Sequence, residues 1–213
     1  MSETLKRTIY GLVYVAIMWF GTAHSELTFH LLFGIILLIC LYEMWKLRKG
    51  KAKILAFAYV IIPLILIQIF GMTDSNYPNN TFNPNIILFM FILTWTFDTF
   101  AYIIGVRFGK NKIMPSISPK KSWEGFIGGF IFTIITSYLS YNYFEFNSFK
   151  NVLIISIILP FTATAGDLIE SHYKRESNVK DSGTFIPGHG GLLDRMDAFL
   201  ITIPVLYILI YIL

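Results

Sequence analysis

Residues 166–197 read GDLIESHYKRESNVKDSGTFIPGHGGLLDRMD, and apolar runs of membrane-span length lie on both sides of them. The stretch holds six of the thirteen acidic residues and two of the four histidines. Unpaired charge and irregular backbone are costly inside a bilayer. The stretch therefore predicts a segment at one membrane face or along a wet cavity, between membrane-spanning helices. A solvated connection without chemistry is the alternative interpretation.

The composition is typical of a polytopic membrane protein. The 213 residues are 55% apolar and 14% charged, with a mean hydropathy of +0.62, whereas soluble domains are about 25% charged. The single cysteine, Cys40, excludes a disulfide framework and a cysteine metal site. The net charge of +4 is too small to indicate a nucleic-acid partner.

The apolar segments predict an all-α fold, a polytopic membrane helix bundle that forms a single domain over residues 1–213. Seven transmembrane helices are expected, at roughly 8–23, 26–45, 54–71, 85–106, 125–143, 151–167 and 196–213. With the N-terminus in the cytoplasm, 16 of the 17 lysines and arginines fall on the inner side, and Lys150 alone falls outside. The positive-inside rule favours this orientation.

The charged stretch divides into a helical part, a loop and a second helix start. Its first part is predicted to continue the preceding helix, with four polar side chains at i, i+3, i+4 and i+7 on one face: Asp167, Glu170, Ser171 and Lys174. Residues 180–191 contain four glycines and a proline, which predict a loop whose N–H groups can form an anion nest. Asp194 and Asp197 then share one face at the start of the last helix. Carboxylates and basic groups of this kind suit divalent metal and phosphate chemistry.

A second charged region begins inside the fourth predicted span. Asp98 lies within roughly 10 Å of the cytoplasmic boundary at 1.5 Å per helical residue. An ionisable group at that depth is a functional candidate, with a buried structural partner for a lysine or arginine as the alternative. The basic loop that follows offers Ser118, Lys120 and Lys121 to phosphate oxygens. The predicted topology brings both charged regions to the same membrane face.

Both regions resemble the CDP-diacylglycerol synthase family, also called phosphatidate cytidylyltransferase. The downstream block, Ser171 through Asp197, reads S-x-x-K-R-x4-K-D-x-G-x3-P-G-H-G-G-x-L-D-R-x-D, with Tyr173 as a departure from the aliphatic or Phe residue expected before Lys-Arg. The upstream block, from Asp98, reads D-x-x-A-Y-x-x-G-x-x-x-G-K and is followed by S-P-K-K-[ST]-x-E-G. The resemblance implies one cytidylyltransferase site built from 98–129 and 166–197.

The resemblance implies that CTP and phosphatidate react to give CDP-diacylglycerol and pyrophosphate, as a step in phospholipid biosynthesis. Mg²⁺ is the expected cofactor, and a second cation, K⁺ or another Mg²⁺, is an open alternative. The expected metal ligands are Asp167, Asp194 and Asp197, and the expected catalytic residues are Asp167, Asp194, Lys174 and Arg175. The expected substrate-binding residues are Ser118, Lys120, Lys121, Ser171, Lys180, Asp181, His189, Arg195 and Asp98.

Membrane lipid is expected to surround the protein. The expected location is the bacterial inner membrane, with the site facing the cytoplasm. A homodimer is one expected assembly. The alternatives within the class are a CDP-archaeol-type synthase and a CTP-dependent polyprenol kinase. A transporter with an ion site at Asp98 and Asp167 is the alternative from another class, but transporter charges usually lie near the midplane between repeated, broken helices.

Overall fold

Seven α-helices make up most of the described chain. The computed structural model describes residues 3–48, 53–72, 82–144, 146, 148–188 and 190–211. Its helices are α1 (Glu3–Ala23), α2 (Glu26–Leu47), α3 (Lys53–Phe70), α4 (Asn85–Phe108), α5 (Trp123–Ser140), α6 (Phe149–Glu176) and α7 (Leu193–Tyr211). Each predicted apolar segment falls on one of these helices, so the predicted helical architecture is confirmed.

Four of the helices are long and apolar enough to cross a membrane, namely α2, α3, α4 and α6. Within the described residues, α1, α5 and α7 do not meet the same standard of length and hydropathy. Charged or polar residues in their first turns dilute their apolar character. A helical membrane protein is thus supported, and the count of seven spans stays a prediction.

The basic segment between α4 and α5, expected from the sequence as a loop, is a β-hairpin within the otherwise helical fold. Strands β1 (Lys112–Met114) and β2 (Ser118–Ser122) pair antiparallel. The Glu124 carboxylate closes the base of the hairpin, because it accepts the backbone N–H of Lys110 and of Asn111 at 3.2 and 3.1 Å. This anchor comes from the next helix and leaves no mark on the pattern of the strands themselves.

Helices α6 and α7 cross with their backbones in contact. A Cβ added at Gly166 would lie 2.1 Å from the carbonyl oxygen of Asp197. One turn away from the crossing, the hydroxyls of Thr162 and Thr202 are hydrogen-bonded at 2.8 Å. Only glycine permits this approach, and the contact places Asp167 beside Asp197.

The apolar core lies below this crossing and is rich in phenylalanine. Phe29 and Phe33 of α2 and Phe89 and Phe91 of α4 are fully buried. Helix α7 packs against both α3 and α6, and Phe199 on α7 meets Phe91 edge to face at 5.3 Å. The core therefore fixes the helices whose ends carry the charged residues.

Candidate active site

Four charged side chains from α4, β2, α6 and α7 come together beside a pocket, and we call them the pocket cluster: Asp98, Lys121, Asp167 and Asp197. The Lys121 Nζ lies 2.7 Å from Asp167 Oδ2. Asp197 contacts Asp167 directly and lies in the electrostatic field of Asp98. Two carboxylates, from α6 and α7, thus meet, and the charge of Asp98 on α4 lies within their electrostatic reach.

The pocket beside this cluster has a volume of about 510 Å³ and lies between α4 and the hairpin. Asp98, Lys120 and Lys121 form its charged side. Its apolar wall includes Ala101, Tyr102 and Val106 of α4 together with Ile113 and Phe126. A mainly apolar pocket with a few convergent charged groups is the usual form of a ligand site.

A second group of polar side chains lies one turn further along α6, and we call it the loop cluster: Glu170, Lys174, Ser182 and Asp194. The Lys174 Nζ lies 2.5 Å from Glu170 Oε2 and 2.7 Å from Asp194 Oδ1. Asp194 Oδ2 accepts hydrogen bonds from the Ser182 N–H at 2.9 Å and the Gly191 N–H at 2.7 Å. Protein donors therefore occupy both oxygens of Asp194.

The environment of Asp194 favours its charged form. This residue lies in the first turn of α7, ahead of the apolar part of that helix. Burial works to raise the pKa of its carboxyl, but hydrogen bonding to Glu170 and Lys174, the Lys174 charge and the Gly191 N–H together lower the pKa below its usual range.

The glycines of the loop 180–191 make room for the loop cluster. Gly190 has φ +85°, a left-handed conformation that side chains rarely adopt, and a Cβ there would lie 2.6 Å from Asp194 Oδ2. The loop thus wraps closely around Asp194. The predicted loop is confirmed, with one isolated bridge between Ile186 and Gly190.

The remaining predicted site residues lie around the two clusters. Arg175 points to the hairpin, and its guanidinium donates to the carbonyl oxygens of Ile117 at 3.4 Å and Val179 at 3.1 Å. Ser118 lies in β2 opposite Met114. Lys180, Asp181 and Arg195 are exposed, Ser171 is buried on α6, and the prediction for His189 lies outside the described residues.

Glu43 of α2 and Glu170 of α6 lie at the site, although the sequence pattern did not predict Glu43 and assigned Glu170 no role. The Glu43 carboxylate is buried and accepts hydrogen bonds from the loop that carries Asp194. A signal existed for both, because Glu43 is the one acid of α2 beyond the first turn of that apolar helix, and Glu170 lies on the polar face of α6. Ser182 gave no signal, since serines are common in loops.

Membrane-length helices and a site of carboxylates and lysines define a helical membrane protein equipped for phosphate chemistry. Comparison with known proteins then gives the family. The profile described as "Cytidylyltransferase family" matches residues 49–213. The chain belongs to this family, and the resemblance carried by the two sequence blocks is confirmed.

Several curated relatives carry the name phosphatidate cytidylyltransferase. The protein from Rickettsia typhi is 38% identical over 207 residues, covering 93% of this chain and 86% of the relative. The protein from Rickettsia bellii is 36% identical over 219 residues, covering 97% and 90%. The protein from Staphylococcus saprophyticus is 48% identical over 125 residues, covering 58% and 48%.

Proposed function

We propose that this protein is a phosphatidate cytidylyltransferase, which makes CDP-diacylglycerol and pyrophosphate from CTP and phosphatidate. The observation that carries the proposal is the pocket cluster, where Lys121 pairs with Asp167, Asp167 meets Asp197, and Asp98 lines the adjacent pocket with its apolar wall. The names of the relatives from the two Rickettsia species support the same reaction.

The reaction joins two polyanions, and the basic residues reduce their repulsion. A phosphate oxygen of phosphatidate forms a bond to the α-phosphorus of CTP, the bond to the β-phosphate oxygen breaks, and pyrophosphate leaves with the electron pair. Lys120 and Lys121, at the charged side of the pocket, can hold phosphate oxygens. The attacking phosphate is already ionised at neutral pH, so no general base is required.

The pocket cluster fits a divalent cation in charge and donor type. Asp167 Oδ2 is buried and, in the described part of the chain, has the Lys121 ammonium nearby but accepts no hydrogen bond of good geometry. Among the described residues, no group of three or more His, Cys, Asp or Glu is arranged to hold a metal. Mg²⁺ needs only one or two carboxylates when substrate phosphates and water complete its shell.

Asp167 and Asp197 are accordingly the proposed Mg²⁺ ligands. A bound Mg²⁺ would neutralise charge on the triphosphate and on the leaving pyrophosphate. The sequence analysis expects Asp194 as a metal ligand beside Asp167, with Asp197 as the third, but in the structure Asp194 would have to release Lys174 to join a cation at Asp167 and Asp197. Lys174 would then be free to pair with a substrate phosphate. A second cation, K⁺ or Mg²⁺, would take the position that Lys174 leaves beside Asp194.

The pocket suits the lipid substrate better than the nucleotide. Tyr102 and Val106 line it and are 69% and 71% exposed, on a helix apolar enough to lie in a membrane. The pocket is therefore open on the side of α4 that faces lipid. We place the glycerol and first acyl carbons of phosphatidate against Ala101 and Val106, with its phosphate at Lys120 and Lys121.

The proposed setting is the bacterial inner membrane, with seven spans and the site facing the cytoplasm. The four membrane-length helices and the distribution of lysine and arginine support this arrangement. CTP then reaches the site from the cytosol, and phosphatidate reaches it from the bilayer. A homodimer stays a prediction.

The test is an assay of purified protein in detergent with labelled CTP, phosphatidate and Mg²⁺. Wild-type protein is expected to form labelled CDP-diacylglycerol, with no product when Mg²⁺ is chelated. Asp167→Asn is expected to reduce turnover on the order of 10²- to 10³-fold, because electrostatic stabilisation at the reacting phosphates is lost.

The matched control is Glu26→Gln, an equally conservative change at the start of α2, and it should keep full turnover. Full turnover in Asp167→Asn would contradict the metal assignment. A product made from polyprenol, or from an archaeal-type ether lipid in preference to phosphatidate, would favour one of the related CTP-using enzymes instead.

A further inference from the structure

Glu43 is a buried acid that lies six positions before the region matched by the family profile. It is 3% exposed on α2, more than 130 residues from the segment that it contacts. Its carboxylate accepts three hydrogen bonds, from Ser182 Oγ at 2.9 Å, the Leu192 N–H at 3.0 Å and the Leu193 N–H at 2.8 Å. All three donors belong to the loop and helix start that carry Asp194.

In these three contacts, two backbone N–H groups and one hydroxyl compensate the burial of this carboxylate, and no basic side chain takes part. An ionised group that loses water needs hydrogen bonds to offset the cost. Leu193 is the first residue of α7, whose N-terminal N–H groups carry partial positive charge. Glu43 therefore acts as a cap for α7 supplied by a distant helix, and it fixes where α7 begins.

The loop is shaped to fit around this carboxylate. A Cβ added at Gly191 would lie 2.5 Å from Glu43 Oε2, and one at Gly183 would lie 2.5 Å from Glu43 Oε1. Any side chain at either position would displace Glu43 or move the loop. Two of the glycines in the loop thus serve the contact with α2.

Ser182 links Glu43 to the loop cluster. Its hydroxyl lies 2.9 Å from Glu43 Oε2 and 3.1 Å from Asp194 Oδ2, and its N–H donates to Asp194 Oδ2 at 2.9 Å. A hydroxyl carries one proton, so it donates fully to only one carboxylate at a time. The position of Glu43 therefore sets the orientation of Ser182, and with it the position of Asp194 and its partner Lys174.

We propose that Glu43 is a positioning residue for the cytidylyl transfer. It acts through Ser182 and the start of α7 to hold Asp194 and Lys174 in the geometry that the reaction needs. This inference rests on the proposed function. Glu43 touches neither the pocket nor, in the contacts above, the pocket cluster, so its loss should affect turnover rather than substrate binding.

The test is Glu43→Gln, which keeps the size of the side chain but turns one acceptor oxygen into an NH₂ group facing N–H donors. We expect kcat to fall at least about tenfold, because misplacement of about 1 Å at a reacting centre can cost a hundredfold. The KM values for CTP and phosphatidate should stay within about threefold of wild type. Hydrogen exchange should speed up at the Leu192 or the Leu193 amide, since the two donate to different oxygens of Glu43 and one of those oxygens becomes an NH₂ group.

The matched control is Thr162→Val, which removes a buried hydrogen bond to Thr202 between α6 and α7 outside the two clusters. Thr162→Val should keep the wild-type kcat, even if it lowers the melting temperature in detergent by as much as Glu43→Gln does. A kcat per folded molecule unchanged in Glu43→Gln, or reduced equally in both variants, would overturn the proposal.

Ser182→Ala serves if Glu43→Gln does not fold, because it removes the link to Asp194 and leaves the Leu192 and Leu193 contacts in place. It should lower kcat in the same way, and an unchanged kcat would overturn the link. If wild-type protein makes no CDP-diacylglycerol, that result contradicts the proposed function and not the structural role of Glu43. The amide exchange measurement still decides whether Glu43 holds the start of α7.

Discussion

The pocket cluster and the loop cluster lie one turn apart on α6 and differ in how their charges are balanced. In the loop cluster, Lys174 lies between Glu170 and Asp194, and backbone N–H groups satisfy the remaining oxygen. In the pocket cluster, Lys121 pairs with Asp167 at 2.7 Å, the carboxylates of Asp167 and Asp197 face each other, and the charge of Asp98 lies nearby. The loop cluster has two carboxylates for one lysine, whereas the pocket cluster has three carboxylates for one lysine and therefore more negative charge that a cation can neutralise.

The exposed fractions of the side chains also differ between the two clusters. The side chains of Glu170, Lys174 and Asp194 are 0%, 11% and 8% exposed, whereas those of Lys121 and Asp167 are 27% and 28% exposed. A buried ion pair that loses one partner destabilises a protein strongly, and a partly exposed pair contributes less to stability. The loop cluster should therefore matter most for folding and the pocket cluster most for turnover.

The largest effect in this comparison is expected from Gly166→Val. The added side chain would meet the Asp197 carbonyl oxygen, which lies 2.1 Å from the Cβ position, and backbone atoms cannot move aside cheaply. Separation of α6 from α7 at this point breaks the contact between Asp167 and Asp197. We expect a loss of turnover of more than about a hundredfold, measured in the CDP-diacylglycerol assay.

Gly34→Val on α2 is the matched control, because a Cβ there meets nothing within 4 Å. It should retain turnover and differ from wild type only by the helix propensity of the two residues. Similar losses in both variants would show that the crossing of α6 and α7 has no special role.

An intermediate effect is expected from replacing each cluster's lysine by methionine. Lys174→Met leaves Glu170 and Asp194 buried without a cation, which should cost about 3–5 kcal/mol of stability. Lys121→Met should cost about 1 kcal/mol or less in stability but reduce turnover about 10- to 100-fold, because a charged contact to a phosphate is lost. Thermal unfolding in detergent and the turnover assay measure the two quantities.

The division between the clusters would be wrong if the two lysine variants showed the same balance of lost stability and lost turnover. It would also be wrong if Lys121→Met unfolded the protein at a lower temperature than Lys174→Met.

Much of this arrangement could be predicted from the sequence, for identifiable physical reasons. Apolar segment length gave all seven helices, and helical spacing placed Asp167, Glu170 and Lys174 on one face of α6. The sequence could not show whether Asp194 or Asp197 lies beside Asp167. Spacing along each helix does not determine which turn of α7 faces which turn of α6. That register depends on Gly166, whose role appears only in the packed structure.

The hairpin and Glu43 show what local patterns leave out. The strands of the hairpin are stabilised by Glu124, which belongs to the following helix. Glu43 contacts residues about 140 positions away, and such a partner has no counterpart in local spacing. In both cases an acidic side chain of another element shapes a loop through backbone N–H groups, which are present at almost every position.

The smallest effect is expected at the apolar wall of the pocket. Val106→Trp fills space beside the pocket cluster without touching its charges. If phosphatidate lies against this wall, the KM for phosphatidate should rise about fivefold, as expected for a loss of about 1 kcal/mol in binding, while the KM for CTP stays unchanged. Ile103→Trp is the matched control, since Ile103 is 51% exposed on the same helix and does not line the pocket. A rise in the KM for CTP instead would assign the pocket to the nucleotide, and the pocket cluster would then meet the lipid phosphate from its other side.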